Sequence, residues 1–221
     1  MAGQSALDWR GAVPVSTRFD DPYFSLDNGL AETRHVFLDG NDLPGRFRDG
    51  FHIAELGFGT GMNLLAALLL WRQAGQTGVL HFTTFEAFPL DGDAMIRAQS
   101  AFPEVKTLAS ELGPFWTAGA RRFELPDLRF EMIEGDARQT VPAWRGKADA
   151  WFLDGFSPAK NPELWTPALM QAVAHHTAPE GTAATYTAAG HVRRSLDEAG
   201  FVATRTQGYG RKRHMTRARL G

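Results

Sequence analysis

Four acidic residues, Glu55, Glu86, Asp136 and Asp154, each close or follow a short apolar run and stand beside small residues. In an open α/β sheet, ligands bind beyond the carboxyl ends of the parallel strands. Acids in those positions can accept hydrogen bonds from a ligand's hydroxyl or amino groups. The first run, residues 51–54, leads into Glu55-Leu-Gly-Phe-Gly-Thr-Gly61 and then into an apolar stretch from Met62 to Trp71. That order reads as strand, tight turn, helix. Glycine allows positive φ and close backbone approach, and the following helix aims its N–H groups at the same point. Gly57, Phe58, Gly59 and Gly61 therefore suit a cradle for an adenosine-containing cofactor. Glu86 can accept both ribose hydroxyls. The small-residue turn Glu134-Gly-Asp136-Ala137 suits the adenine edge, whose amino group needs an acceptor. Asp154-Gly-Phe156 places a carboxylate and a ring where a transferred group would lie. Phe58 and Phe156 are candidates to face a cation, with plain packing as the alternative.

The spacing of the glycines narrows the cofactor. A dinucleotide fingerprint is G-x-G-x-x-G, whereas Met62 stands where its third glycine belongs and the spacing here is G-x-G-x-G. An NAD-dependent oxidoreductase is thereby disfavoured. The acid-x-G-x-G-x-G pattern resembles motif I of the class I S-adenosylmethionine methyltransferases.

These residues need a scaffold. A chain of 221 residues with 43% hydrophobic and 22% charged residues suits one α/β domain with a substantial core. Strands are expected near 51–54, 81–86, 128–133, 148–153, 181–187, 201–206 and 214–220, and helices over 62–71, 91–101, 105–116 and 191–199. Alternation implies a mostly parallel sheet covered by helices on both faces. The last two strands have no helix between them and are expected to pair antiparallel. The expected architecture is a Rossmann-like class I methyltransferase with a seven-stranded sheet and a terminal antiparallel hairpin. Residues 1–22, polar and proline-containing, are expected to form a loose arm, and 23–221 a single domain.

Other chemistries find no support. The chain has no cysteine, which excludes disulfides and thiolate nucleophiles and fits a reducing cytoplasm. No metal is expected, because the seven histidines are scattered without H-E-x-x-H or similar spacing. Ser157 precedes a proline and lacks a nucleophile elbow. No apolar run reaches the length of a membrane span, and residues 1–10 lack signal-peptide features. The net charge of −2 gives no overall attraction for polyanions, yet residues 210–219 are strongly basic. They read either as a nucleic-acid contact or as a solvated final strand.

Four stretches carry a more specific resemblance: residues 23–41, Glu55 to Asn63, the run L-D-G-F-S-P-A-K-N-P-E-L-W from Leu153 to Trp165, and Gly208 to Met215. Together they resemble the methyltransferase domain of the MnmC family from about residue 20 onward. The resemblance implies N-methylation of 5-aminomethyl-2-thiouridine at the tRNA wobble position, with S-adenosylmethionine as cofactor. It implies Glu55, Gly57, Phe58, Gly59, Gly61, Asn63, Glu86, Asp136, Ala137, Asp154 and Phe156 on the cofactor side. Tyr23, Ser25, Lys160, Asn161, Trp165, Arg211, Lys212 and Arg213 fall on the substrate side, facing a tRNA anticodon loop. On helix spacing alone Trp165 and Met170 read as packing residues. Asp154 is the candidate catalytic residue, as base or as orienting group. Bifunctional members of that family carry an FAD-dependent oxidase that makes the amine. Ending at Gly221, this chain is expected to be the methyltransferase alone, with a separate oxidase as a conceivable partner. Two alternatives remain: a methyltransferase for a small molecule or another nucleic-acid position, and a non-catalytic cofactor-binding module.

Overall fold

The computed structural model describes residues 7–24 and 28–221; the expected substrate contact Ser25 lies outside the described residues. The chain begins with Leu7–Arg10 (β1), Val13–Ser16 (β2) and Asp21–Pro22 (β3), which form a small antiparallel sheet. This corrects the expectation of a loose arm. The reason is local. Gly11 turns between β1 and β2 at φ 64°, all four β2 residues are buried, and the Arg97 guanidinium sits 3.8 Å above the Trp9 ring.

A short helix, Gly29–Thr33 (α1), follows, capped where the Asn28 side chain accepts from Ala31 N–H at 2.9 Å. It runs on through irregular turns that bury Val36, Phe37 and Leu38. Arg46 fastens this segment to the sheet by donating to the carbonyls of Asn41 and Asp149.

The main domain then alternates: His52–Leu56 (β4), Met62–Gln73 (α2), Leu80–Glu86 (β5), Gly92–Gln99 (α3), Lys106–Thr117 (α4), Arg122–Leu125 (β6) and Leu128–Glu134 (β7). It continues through Ala137–Ala143 (α5), Ala148–Leu153 (β8), Pro167–His175 (α6), Thr177–Thr185 (β9), Gly190–Glu198 (α7), Phe201–Gln207 (β10) and His214–Leu220 (β11). The sheet order is β10-β11-β9-β8-β4-β5-β7-β6. β4, β5, β7, β8 and β9 pair in parallel, whereas β11 runs antiparallel to both β9 and β10. The closing hairpin is as expected. β6 adds an antiparallel edge strand to the expected seven; at four residues, two of them exposed, it carries little pattern. α5 and α6 were also not anticipated. The first is short and contains Pro142, and the second starts at Pro167, where a missing N–H is harmless in a first turn.

Alternation along the strands separates two apolar cores. Ile53, Phe82, Ala150 and Phe152 join α2 in one. Ala54, Leu56, Phe85, Trp151 and Leu153 join α5, α6 and α7 in the other. α2 is buried from Met62 through Leu68 and again at Trp71, as expected of a helix apolar all round. β4 pairs with β5 on one side and β8 on the other. That reversal is the topological switch point, where an open α/β sheet leaves a crevice.

Candidate active site

The crevice is a cavity of about 930 Å3, within the size range of sites that enclose small ligands. Its back wall is the turn after β4. Gly57, Gly59 and Gly61 hold φ values of 82°, 53° and 74°. A Cβ at Gly57 would lie 2.3 Å from the Asp154 carbonyl oxygen, so the chain ends of β4 and β8 leave room only for glycine. A Cβ at Gly59 would project to within 3.0 Å of the Tyr23 ring. Gly61 acts behind the wall, as the left-handed residue from which α2 starts. The Phe58 ring points into the core against Trp116 and Phe130; only its backbone edge serves the cavity. This corrects the reading of Phe58 as a ring facing a cation.

The floor is a polar cluster with more acceptors than donors. One nitrogen of Asn63 donates to Glu55 at 2.8 Å and to Asp154 at 2.7 Å. The Asn63 oxygen accepts from the Thr33 hydroxyl at 3.0 Å, which sets the orientation of the amide. Glu55 is fully buried, and its second carboxyl oxygen has no hydrogen-bond partner. Burial pushes its pKa well above the usual carboxylate range, against the Asn63 hydrogen bond. Glu55 thus lies beneath the cavity, supporting Asn63 rather than lining the wall. Asp154 does line it. Burial raises its pKa to about 7, with Asn63 opposing, Glu32 reinforcing and Lys212 opposing.

On the β5–β7 side, Glu86 accepts from the N–H groups of Phe58 and Gly59 at 2.9 and 3.1 Å, and from Phe88 at 2.8 Å. The carboxylate therefore braces the glycine turn. Asp136 caps α5 and pairs with Arg138 at 2.6 Å, which holds its pKa below the usual range. Ala137 is buried beside it, and both line the cavity.

The front is closed by residues on both sides of the glycine turn in sequence. Phe19 stacks on Phe156 at 4.6 Å, and Tyr23 meets the edge of Phe156 at 5.2 Å. Asp21 accepts from Ser157 N–H at 3.0 Å. Lys160 bonds to the Asp20 carbonyl and pairs with Asp20 and Asp21 at 3.6 and 3.5 Å. So Lys160, expected to meet substrate, instead ties the N-terminal sheet to the loop after β8. Trp165 is likewise structural: it is buried and donates to the Phe156 carbonyl at 3.0 Å. Asn161 keeps its place on the cavity wall, as do Arg211 and Lys212 from the β10–β11 turn. Lys212 is paired with Glu32 at 2.7 Å. Arg213 is exposed on that turn; desolvation, then the charges of Arg205, Arg213 and Arg193, lower the pKa of His214.

Sequence reasoning missed Glu32, Phe19, Asp21 and Tyr186, all on the wall. Tyr186 stands one residue past β9, so the strand-end rule applied to the Asp154 neighbourhood would have found it. Nothing local marks Glu32, whose partner is 180 residues away. Among the described residues, no group of histidines and acids could hold a metal, and no helix is long and apolar enough to cross a membrane.

A glycine turn at the switch point, acids at successive strand ends and an antiparallel closing hairpin define a class I methyltransferase. The chain belongs to the S-adenosyl-L-methionine-dependent methyltransferase family, whose model matches residues 103–221; S-adenosylmethionine is its cofactor. It is 46% identical over 230 residues to the tRNA 5-methylaminomethyl-2-thiouridine biosynthesis bifunctional protein MnmC of a Caulobacter species, covering 97% of this chain and 38% of that protein. The protein of the same name from Aeromonas hydrophila is 46% identical over 227 residues, covering 95% and 34%. The chain therefore spans about 34–38% of the length of these relatives. Among solved structures it is similar to MnmC2 from Aquifex aeolicus, with TM-score 0.79 and 27% identity over 100% of this chain and 71% of that one. A Pyrococcus furiosus methyltransferase shares the fold at TM-score 0.53 and 15% identity, covering 89% of this chain and 85% of that one.

The residues present fit the cofactor. The glycine turn is a cradle that a Cβ would fill. The Glu86 and Asp136 carboxylates face the same space, and the floor offers Asn63 and Asp154 to a charged end group.

Proposed function

We propose that this protein N-methylates the 5-aminomethyl group of 5-aminomethyl-2-thiouridine at the tRNA wobble position, giving 5-methylaminomethyl-2-thiouridine. The observation that carries this is Asp154, a carboxyl held by Asn63 at 2.7 Å on the floor of a cavity at the switch point. The names of the relatives support the substrate. Glu86 and the glycine turn would hold the ribose, Asp136 and Ala137 the adenine, and Asn63 the charged end of the cofactor.

Bound there, the cofactor supplies an electrophilic sulfonium methyl. The chain's own work is to orient the amine, remove its proton and keep water out. An alkyl ammonium with pKa ~10.4 costs roughly 4–5 kcal/mol to neutralise at pH 7. A base whose pKa lies near the working pH is best matched to that transfer, contributing about 10²- to 10⁴-fold. Asp154 meets this condition. The aromatic front made by Phe19, Tyr23 and Phe156 excludes water from the same space and offers a face to a uracil. A nucleotide in an anticodon loop is readily turned out toward such a pocket. Arg211 and Arg213, with Arg205 and Arg193 nearby, supply a basic face for the loop's phosphates. This reading places the protein in the cytoplasm, with its amine made by an FAD-dependent oxidase activity.

A second reading, a methyltransferase for a small amine, draws support from Lys160 and Lys212, whose charges are already matched inside the protein. Mass analysis of nucleosides from defined 5-aminomethyl-2-thiouridine tRNA, after incubation with labelled cofactor, separates the two. Label in 5-methylaminomethyl-2-thiouridine is the expected result; unlabelled tRNA would refute the tRNA reading.

A further inference from the structure

Lys212 carries a –CH2–NH3+ group into the active cavity. Its nitrogen donates to Glu32 at 2.7 Å and lies 4.1 Å from the centre of the Tyr186 ring. The Tyr186 hydroxyl in turn donates to the Gly155 carbonyl at 2.7 Å, next to Asp154. Burial, then the charges of Asp154, Asp21 and Glu32, push the Tyr186 phenol above its usual range, so its hydroxyl stays protonated. Glu32, Tyr186, Asp154 and Lys212 all line the one cavity.

The geometry points to an alkylammonium-binding site made by the Glu32 carboxylate and the face of Tyr186, which Lys212 occupies in the free protein and which a substrate's primary ammonium takes over. Three observations support it. A carboxylate and an aromatic face together are chemistry selective for a cation. The seat adjoins Asp154, the group proposed above to take the amine's proton. The two partners differ in exposure: the Glu32 side chain is 12% exposed, whereas that of Lys212 is 47% exposed. Lys212 rides on the turn Gly208–Arg213 and can swing toward solvent without disturbing the core. Displacement exchanges one ammonium for another on the same carboxylate, so an incoming ammonium that brings further contacts can take the place of Lys212. Displaced, Lys212 stays at the mouth beside Arg211, where phosphates would lie. The site refines the proposed function by naming what recognises the amine, and in that respect rests on it.

The test uses the full chain and the variants Lys212→Ala, Glu32→Gln and the double variant. Calorimetry measures binding of n-butylammonium, with 1-butanol as the uncharged control. Lys212→Ala is expected to bind n-butylammonium about tenfold or more tightly than the wild type and the double variant, as charged hydrogen bonds and cation–π contacts predict. Binding of 1-butanol should be equal in all four proteins. In Lys212→Ala, n-butylammonium should also compete with an anticodon stem–loop bearing 5-aminomethyluridine, and not with the same RNA bearing 5-hydroxymethyluridine. Equal n-butylammonium binding by Lys212→Ala and the double variant would overturn the site. Failure to compete would overturn its use by the substrate. Wild-type methylation of the stem–loop, measured in parallel, reports separately on the proposed function: a working site without RNA methylation means a different amine substrate.

Discussion

At the floor of the cavity one Asn63 nitrogen serves two carboxyls, Glu55 and Asp154, whereas at the front two lysines, Lys160 and Lys212, each meet acids of their own. The first arrangement starves buried acids of donors, so their charge is suppressed and their pKa values rise. The second matches its charges through lysines whose side chains are 38% and 47% exposed and can leave toward solvent. Proton chemistry therefore belongs to the floor and opening to the front. Substitutions at the two places should differ accordingly.

The largest effect is expected from Asp154→Ala: methylation should fall about 10²-fold or more, the scale of general-base catalysis. Cofactor binding, followed by calorimetry, should weaken but remain detectable. A variant that still turns over normally would remove Asp154 from the chemistry.

Asn63→Ala comes next. It leaves both carboxyls without their shared donor, at about 1–3 kcal/mol, and a domain of this size loses about 2–4 °C of Tm per kcal/mol. A Tm unchanged in thermal denaturation would mean that the floor is not held by this amide.

The floor also predicts how stability depends on pH. The pKa of Asp154 rises from 3.8 to about 7 on folding, so between those values the native state binds more protons than the unfolded one. Stability should therefore fall as pH rises through that window and level off above it. Asp154→Asn abolishes this penalty. It should be more stable than wild type at pH 8, by about 1–2 kcal/mol since the carboxyl opens partly on the cavity, and no more stable at pH 4. Equal Tm values for the two proteins at pH 8 would show that Asp154 titrates in the ordinary range.

At the front, Lys160→Met should cost no more than about 1 kcal/mol and leave the salt dependence of RNA binding unchanged. Arg211→Glu with Arg213→Glu should instead flatten that dependence, by roughly 0.7–0.9 per lost phosphate contact in the slope of log K against log salt. If Lys160→Met flattened the slope and the arginine changes did not, the assignments at the front would be reversed.

The same contrast marks how far the sequence could be read. The strand ends were legible because each is a local pattern: an apolar run, then glycine and an acid. Those patterns located the turn, Glu86, Asp136 and Asp154, and the closing hairpin followed from two strands with no helix between them. The front was not legible, because its contacts join distant segments. Asp20 and Asp21 meet Lys160 only because β1–β3 fold over the loop after β8. Residue type also misled: Lys160 and Trp165 sit in a motif-rich run but fasten it, and the Phe58 ring turns into the core while its backbone serves the cavity. Glu55 lies inside β4 rather than in the turn, and its burial beneath Asn63 has no counterpart in spacing.

The central claim is that Asp154 accepts the amine's proton near neutral pH. Single-turnover methylation of an aminomethyl stem–loop, measured from pH 5.5 to 9 with saturating cofactor, tests it most directly. The wild-type rate should rise about tenfold per pH unit well below the Asp154 pKa of about 7 and then flatten, while Asp154→Asn should be at least about 10² slower at pH 8 without that inflection. An Asp154→Asn rate within a few-fold of wild type at pH 8, or the same inflection in both proteins, would contradict it.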